Sequence, residues 1–259
     1  MTIDAKQEPS AKGGGAANEM VEIFKTIGYA LLIALALRVL LFQPFTIPSA
    51  SMEPNLYQGD YIIVSKYSYG YSRHSIPFSP PIFSGRLFFH APQRGDIIVF
   101  KLPRDNKTDY IKRLIGLPGD RIQVKQGLVY INDQPIVRTP EPSGTEDMGD
   151  GMLRPVFRFT ETLPNGRRYL TNSWGPDGDV DNTGVYVVPQ GEYFFMGDNR
   201  DNSLDSRFPS EVGVGFVPAE NLEGRAQMIL LSWNAKATLF KPWTWVLDAR
   251  PSRFLHILK

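Results

Sequence analysis

Residues 95–100 read Gly-Asp-Ile-Ile-Val-Phe, a turn dipeptide followed by an apolar run. The same arrangement recurs at 59–64 as Gly-Asp-Tyr-Ile-Ile-Val and at 119–124 as Gly-Asp-Arg-Ile-Gln-Val. Glycine and aspartate favour tight turns, whereas β-branched and aromatic residues favour strands. The spacing between the three copies is too irregular for a solenoid repeat. We therefore predict a mostly β fold built from antiparallel strands.

Further strand patterns surround these runs. The segments Ile122–Val124 and Leu128–Ile131 flank Gln126-Gly127 and predict a hairpin. Strands are also predicted at 192–196 and 225–231, which gives a main antiparallel β domain over 44–131 and 191–232. Residues 132–190 are richer in Pro, Gly, Asn and Asp and have weaker strand patterns, so we interpret them as an inserted β subdomain.

Two stretches combine aromatic residues with prolines, glycines or basic residues, namely 67–89 and the C-terminal segment 233–259. Packing in the core explains part of this pattern. Tryptophan beside lysine is also typical of residues at a membrane interface. We therefore predict that the aromatic and basic segment 233–259 lies near a membrane.

A long apolar run near the N-terminus predicts a transmembrane anchor. Thr26–Phe42 holds one charged residue, Arg38, which is close enough to the outer end to reach the headgroups. With its flanks the segment 20–43 has a length that can span a bilayer. Residues 1–19 are polar, lack apolar periodicity and are interpreted as a disordered tail.

The distribution of lysine predicts the orientation of this anchor. Lys6, Lys12 and Lys25 precede or begin the apolar run, whereas residues 43–65 contain no lysine or arginine before Lys66. Basic residues favour the cytoplasmic side, so the tail should be cytoplasmic and the β domain outside. A cleavable signal peptide ending near Ser49-Ala50-Ser51 and a soluble core helix are the alternatives.

Composition excludes several classes of function. The 259 residues include 28 Lys plus Arg and 27 Asp plus Glu, a net charge of +1, which argues against binding to nucleic acid. The chain has no cysteine, so disulfides and thiolate metal sites are excluded. Its histidines, His74, His90 and His256, lack ligand-like spacing. We therefore expect no metal and no cofactor.

Lys112 is a candidate general base. A serine becomes a nucleophile when a neighbouring base takes its proton, and a desolvated lysine can replace histidine in that role. Burial lowers a lysine pKa from near 10.4 by up to about 3–5 units. Lys112 lies between Tyr110-Ile111 and Leu114-Ile115, with Arg113 expected on the opposite strand face. Taken by itself, the pattern also fits a solvated lysine on an edge strand.

Four sequence boxes, taken together, resemble those of the bacterial type I signal peptidases. They extend in order from the segment after the anchor to residue 226. The boxes are Pro48–Leu56, Arg94–Lys101, Asp109–Arg113 with Gly116–Asp120, and Gly197–Arg207, completed by Gly215–Pro218 and Gly224–Ala226.

The resemblance implies a membrane-bound serine endopeptidase that removes signal peptides from exported preproteins through an acyl-enzyme. Ser51 would be the nucleophile and Lys112 the base, with the Ser51 N–H and the Ser49 hydroxyl as oxyanion donors. Ser203 would orient Lys112. The remaining implied residues are a supporting ion pair, Asp205 and Arg207, and the apolar walls of small substrate pockets, Phe45, Ile47, Met52, Leu56 and Ile111.

The same resemblance implies a partner, a substrate preference and a location. Small pockets would select Ala-x-Ala sequences before the cleaved bond. The partners would be signal peptides and the lipid bilayer, close to the secretion translocon, in the bacterial cytoplasmic membrane with a single pass. Glu53, Asn55, a loop at 209–214 and the single anchor depart from the family pattern.

Two other interpretations stay open from the sequence. Self-cleaving repressors of the DNA-damage response share the Ser/Lys logic, but they would have a helix-turn-helix module in place of the anchor. A membrane-anchored β domain that acts as a non-enzymatic binding or assembly factor is the second alternative.

Overall fold

The computed structural model of the chain describes residues 15–148, 152–176, 178–234 and 243–258. Two α-helices occur there, α1 (Gly15–Leu40) and the single turn α2 (Thr244–Leu247). The strands are β1 (Phe42–Thr46), β2 (Asp60–Ser65), β3 (Ile97–Lys101), β4 (Asp109–Gly116), β5 (Arg121–Lys125), β6 (Leu128–Ile131), β7 (Gln134–Pro135), β8 (Val137–Asp147), β9 (Leu153–Thr162), β10 (Arg168–Ser173), β11 (Tyr186–Val187), β12 (Glu192–Met196), β13 (Val217–Pro218), β14 (Leu222–Ser232) and β15 (His256–Ile257).

These strands confirm the predicted mostly β, antiparallel fold. The main sheet has the order β1-β2-β14-β3-β4-β12-β13, with β15 paired to β14. A four-stranded sheet has the order β11-β5-β6-β7, and a three-stranded sheet the order β10-β9-β8. The three-stranded sheet lies wholly within 132–190, whereas β7 and β11, at the two ends of that range, pair with β6 and β5.

Helix α1 has the length and composition of a membrane span. Its candidate span is Asn18–Leu40, and 23 residues at about 1.5 Å each cover the apolar thickness of a bilayer. The predicted boundaries need correction at both ends. Helix α1 already begins at Gly15, inside the predicted tail, and ends at Leu40, because Pro44 disfavours helical geometry before it and the chain enters β1. Residues 1–14 of the predicted tail lie outside the described residues.

The three Gly-Asp turns share one construction. Each glycine has a positive φ, a conformation that side chains with a Cβ rarely adopt. Each aspartate carboxylate accepts a hydrogen bond from the backbone N–H three residues earlier, which closes the turn before its strand. The φ angles are 87°, 92° and 87° at Gly59, Gly95 and Gly119. The carboxylate contacts are Tyr57 N to Asp60 at 2.8 Å, Gln93 N to Asp96 at 2.9 Å and Leu117 N to Asp120 at 2.6 Å.

The predicted hairpin at 122–131 is confirmed. Strands β5 and β6 pair antiparallel with Lys125 opposite Leu128, which leaves a two-residue loop. Gln126 and Gly127 in that loop have φ angles of 50° and 73°. Positive φ at both positions is the geometry of a type I′ turn, whose twist matches that of the flanking strands.

The position of β4 determines the surroundings of its side chains. It lies between β3 and β12 in the main sheet, and it is buried from Ile111 to Gly116. Side chains alternate between the two faces of a strand. Lys112 and Arg113 therefore enter different parts of the interior.

The unit from Val39 onward should fold without the segment that precedes it, because the chain divides into compact units at this point. A fragment of residues 39–259 should unfold cooperatively in detergent, as measured by circular dichroism. A fragment of residues 47–259 removes β1 and its five pairs with β2. Each cross-strand pair contributes roughly 0.2–1 kcal/mol, so losing five should cost at least about 1 kcal/mol. We expect the midpoint to fall by at least about 2 °C, since about 1 kcal/mol corresponds to about 2–4 °C in a chain of this size. Equal midpoints would contradict a supporting role for β1.

Candidate active site

The loop between β1 and β2 carries Ser51, which is 8% exposed. Two backbone hydrogen bonds shape the loop, Glu53 N to Ala50 O at 3.0 Å and Leu56 N to Met52 O at 2.9 Å. The side chains of Met52 and Leu56 are fully buried in the core cluster below. Moving Ser51 would expose these two side chains, at roughly 1.5–3 kcal/mol each, so the core holds the serine in place.

Lys112 reaches Ser51 from the middle of β4. Its side chain is 4% exposed, and a hydrogen bond of 2.6 Å joins Nζ to Ser51 Oγ. Arg113 contacts Asp198 on the other side of the strand, with Nε to Oδ1 and Nη2 to Oδ2 both at 2.7 Å. The expectation that the two neighbouring cations lie on opposite faces is thus confirmed.

The environment of Lys112 favours a neutral amine. Burial lowers the pKa of Lys112 from its usual 10.5 to about 8, because the interior solvates the ammonium ion poorly. The charges of Asp205 and Asp198 act in the opposite direction, and that of Arg207 reinforces burial. Within the described residues, Lys112 forms no ion pair with any of them.

Lys112 differs in this respect from the other buried cations of the described chain. Four more cationic side chains are almost fully buried, and each has a carboxylate partner. The pairs are Lys66 with Glu223 at 3.7 Å, Arg113 with Asp198 at 2.7 Å, Arg200 with Glu161 at 2.5 Å and Arg207 with Asp205 at 2.9 Å. A buried charge normally requires such a partner, so the structure provides for a charge at four positions and not at Lys112.

Two further serines lie close to the Ser51–Lys112 pair. Ser49 Oγ is 3.3 Å from Ser51 Oγ and is exposed to solvent. Ser203 is 7% exposed, and its Oγ has no hydrogen-bond partner in the described part of the chain. A Cβ atom at Gly197 would lie 2.2 Å from Ser203 Oγ and 2.5 Å from the Ser51 carbonyl oxygen. Gly197 therefore allows the Ser203 loop and the Ser51 loop to approach each other.

Asp205 and Arg207 tie down the segment that carries Ser203. Arg207 donates from Nε and Nη2 to the Asp205 carboxylate, both at 2.9 Å, and Gly197 N donates to the same group at 2.9 Å. Burial raises the pKa of Asp205, but the Arg207 charge and the three N–H contacts outweigh it, so the pKa is lowered. The pair therefore stays charged and fixes the loop.

Of the five apolar residues implied as pocket walls, the structure places one on the surface of the cleft. Ile111 lines the cleft around Ser51. Ile47, Met52 and Leu56 are at most 2% exposed and lie in the core cluster beneath, with Phe45 packed against it. None of these four side chains is among the described lining residues of the cleft, and their role as pocket walls stays a prediction.

The cleft itself has a volume of about 560 Å3 and is open to solvent on one side. Ser49, Ser51, Lys112 and Ser203 all line it, so the structure brings together four of the six polar residues of the sequence prediction. No histidine is among the described lining residues. The cleft is thus open to solvent, and its lining includes the Ser51 hydroxyl and the buried Lys112 amine.

Glu53 and Asn55, the two residues near Ser51 that depart from the family pattern, have different surroundings. Asn55 donates from Nδ2 to Asp198 Oδ2 and to Leu170 O, each at 2.7 Å, and so links the Ser51 loop to β10. Glu53 is partly buried, and burial, with a further contribution from Glu146, raises its pKa to about 7. Neither side chain lines the cleft in the described residues.

Sequence reasoning missed Glu146, a carboxylate on β8. It accepts hydrogen bonds from Asn199 and Asn202 in the Ser203 loop, each at 2.6 Å. Both asparagines lie in a quoted box but had no role assigned to them. Glu146 lies in a region of weak patterns, so no local signal could distinguish it from a surface residue.

Taken together, a mostly β unit, an apolar span and a cleft with a serine beside a buried amine define a membrane-anchored serine hydrolase. Comparison with known proteins places this class more narrowly. Residues 20–233 match the family model "Signal peptidase, peptidase S26". The chain belongs to this family of endopeptidases.

Two Rickettsia relatives agree with the family match. The signal peptidase I of Rickettsia typhi is 48% identical over 217 residues, which cover 81% of this chain and 79% of that protein. That of Rickettsia canadensis is 46% identical over 217 residues with the same coverage. A crystal structure of a signal peptidase I from Enterococcus faecalis V583 is 29% identical, covers 52% of this chain and 97% of its own, and has a TM-score of 0.30.

Replacing Gly197 by alanine should disturb the site, since the new methyl group meets Ser203 and the Ser51 carbonyl below contact distance. Overpacking of this kind costs about 1–3 kcal/mol, so thermal unfolding should shift downward and catalytic activity should fall. Gly184→Ala is the matched control, because nothing lies within 4 Å of its Cβ position. Equal melting and activity in the two variants would contradict the close approach at Gly197.

Proposed function

We propose that the chain is a signal peptidase that cleaves N-terminal signal peptides from exported preproteins, with Ser51 as nucleophile and Lys112 as general base. The observation that carries the proposal is the 2.6 Å contact between Ser51 Oγ and a lysine that is 4% exposed and has no ion-pair partner among the described residues. The match to the signal peptidase family and to the Rickettsia enzymes supports the substrate class.

In the first half of the reaction, neutral Lys112 takes the proton of the Ser51 hydroxyl as Oγ attacks the scissile carbonyl carbon. The tetrahedral intermediate collapses when the C–N bond breaks, and the Lys112 ammonium gives its proton to the departing amine. An ester between Ser51 and the signal peptide remains. Water, deprotonated by Lys112, then hydrolyses this acyl-enzyme and frees Ser51.

The magnitude of the pKa shift makes this role feasible. At pH 7 a lysine of pKa 10.5 is neutral in about three molecules in ten thousand, whereas a pKa of about 8 gives about one in ten. The working base is therefore roughly 300-fold more abundant. Burial of the amine is what provides this gain.

The neighbouring serines take the supporting roles in this proposal. The Ser49 hydroxyl, 3.3 Å from Ser51 Oγ, and the Ser51 N–H would donate to the oxyanion of the intermediate. Ser203, which lines the same cleft, would orient the Lys112 amine. Asp205 and Arg207 hold the Ser203 segment and do not touch the reacting atoms.

The shape of the cleft supports a preference for small side chains before the cleaved bond. Ile111 lines the cleft, while the space below is filled by Met52 and Leu56, which are fully buried. The match to the signal peptidase family supports the same preference. We therefore propose that the enzyme selects Ala-x-Ala sequences.

The candidate span supports a membrane location for the proposed enzyme. Helix α1 has one candidate span, and the lysines that flank it lie on its N-terminal side. We propose a single-pass protein of the bacterial cytoplasmic membrane, with the N-terminus in the cytoplasm and the β unit outside. Signal peptides emerging from the translocon would meet the cleft there.

Cleavage of a preprotein by the purified full-length chain, mapped by mass spectrometry, tests the proposal. Ser51→Ala should abolish cleavage. Lys112→Arg should lose at least about 10³-fold in rate, as Lys112→Ala does, because arginine cannot deprotonate. Lys125→Arg, on an exposed position of β5, is the matched control and should cleave normally. Appreciable cleavage by Lys112→Arg in a folded protein would refute the Ser/Lys assignment.

A further inference from the structure

Glu146 is a buried carboxylate that reaches the site from the three-stranded sheet. It lies near the end of β8 and is 1% exposed. Oε1 accepts hydrogen bonds from the side-chain amides of Asn199 and Asn202, each at 2.6 Å, and Oε2 accepts one from the Trp174 indole at 2.9 Å. Among the described residues Glu146 has no ion-pair partner, so three N–H donors compensate for its burial.

Asn199 connects this carboxylate to the main chain of the nucleophile. Its side-chain amide, already bonded to Glu146, also donates to the Ala50 carbonyl at 3.2 Å. Its backbone N–H donates to the Ser51 carbonyl at 3.1 Å. Asn202, the second amide on Glu146, directly precedes Ser203. The Glu146 carboxylate therefore holds both Asn199, which is hydrogen-bonded to the Ser51 carbonyl, and Asn202, which is next to Ser203.

The same sheet holds both loops at other points. Asn172 on β10 accepts from Arg200 N at 2.9 Å and donates from its own N–H to Asp198 O at 3.0 Å. Asn55, in the Ser51 loop, donates to the Leu170 carbonyl of β10 at 2.7 Å. The two loops that form the cleft are thus attached to one support.

We propose that Glu146 is a positioning residue, and that the three-stranded sheet β8-β9-β10 serves to set the Ser51 peptide and the Ser203 loop in register. The inference rests on the proposed function, since Glu146 has no contact with the reacting atoms. The inserted β subdomain thereby contributes to catalysis, although none of its residues takes part in the chemical steps proposed above.

Positioning can be separated from an electrostatic role. The carboxylates that raise the pKa of Lys112 are Asp205 and Asp198, and Glu146 is not among its causes. Loss of the Glu146 charge should therefore leave the pH midpoint that Lys112 sets unchanged, whereas the pKa of Glu53, which Glu146 helps to raise to about 7, should fall. The geometry of Ser51 relative to Lys112 and Ser203 should deteriorate instead, which affects turnover and leaves substrate binding intact.

Glu146→Gln in the full-length chain tests this proposal. A glutamine has one acceptor oxygen and one NH2 group. Either the two asparagine amides or the Trp174 indole therefore faces that NH2 group and loses its acceptor. We expect kcat on a preprotein to fall about 10- to 100-fold, with KM changed less than about twofold. The pH midpoint of the rate should equal that of the wild type.

Hydrogen exchange provides a readout that does not depend on activity. In Glu146→Gln, residues 197–203 should exchange faster than in the wild type, while the hairpin at 122–131 keeps its protection. Glu141→Gln is the matched control, because Glu141 lies on the same strand and contacts Thr160 within the sheet at 2.6 Å. It should leave kcat and the exchange of 197–203 unchanged.

Several results would overturn the inference. These are an unchanged kcat in folded Glu146→Gln, a shifted pH midpoint, or equal effects in Glu141→Gln. If Glu146→Gln fails to fold, Asn199→Ala takes its place, with the same loss of kcat expected and an unchanged kcat as the contrary result. If the wild type cleaves no preprotein, the proposed function fails, and the exchange of 197–203 still decides whether Glu146 positions the loop.

Discussion

The contact between the Lys112 amine and the Ser51 hydroxyl imposes the constraint on which the site depends. A lysine in water is an ammonium ion and cannot take a proton, so the proposed role of Lys112 as base requires a fold that removes the solvent without supplying a carboxylate. The described chain satisfies both conditions, because Lys112 is 4% exposed and is the one almost fully buried cation there without an ion-pair partner. The two carboxylates whose charges raise the pKa of Lys112, Asp205 and Asp198, each form an ion pair with an arginine.

This arrangement explains why the site is surrounded by paired charges. Asp205 is neutralised by Arg207 and Asp198 by Arg113, so their attraction for a Lys112 ammonium is weakened. The same pairs fix the loop from Gly197 to Arg207 against β4. Buried ion pairs contribute little net stability, but here they keep the loop in place and leave the Lys112 amine without an ion-pair partner among the described residues.

The sequence predicted those parts of the fold that local patterns determine. The Gly-Asp turns and the hairpin at 122–131 follow from residues a few positions apart, and the alternation in β4 separates Lys112 from Arg113. The meeting of Ser51 and Lys112, 61 positions apart, was predictable from the family boxes and not from periodicity. Helix α1 ends at Leu40, although the apolar pattern continues to Phe42, because the chain there enters β1. The burial of Met52 and Leu56 and the contacts of Glu146 depend on packing between distant segments, which no local pattern encodes.

The most direct test of the account is the ionisation of the Lys112 amine itself. Lysine labelled with 13C at Cε in the full-length chain can be titrated by NMR, with the Lys112 signal assigned by its absence in Lys112→Arg. We predict a midpoint near pH 8, with the amine neutral above it and protonated, hence unable to act as base, below it. A midpoint near the ordinary value of about 10.4 would contradict the claim that burial prepares Lys112 to activate Ser51.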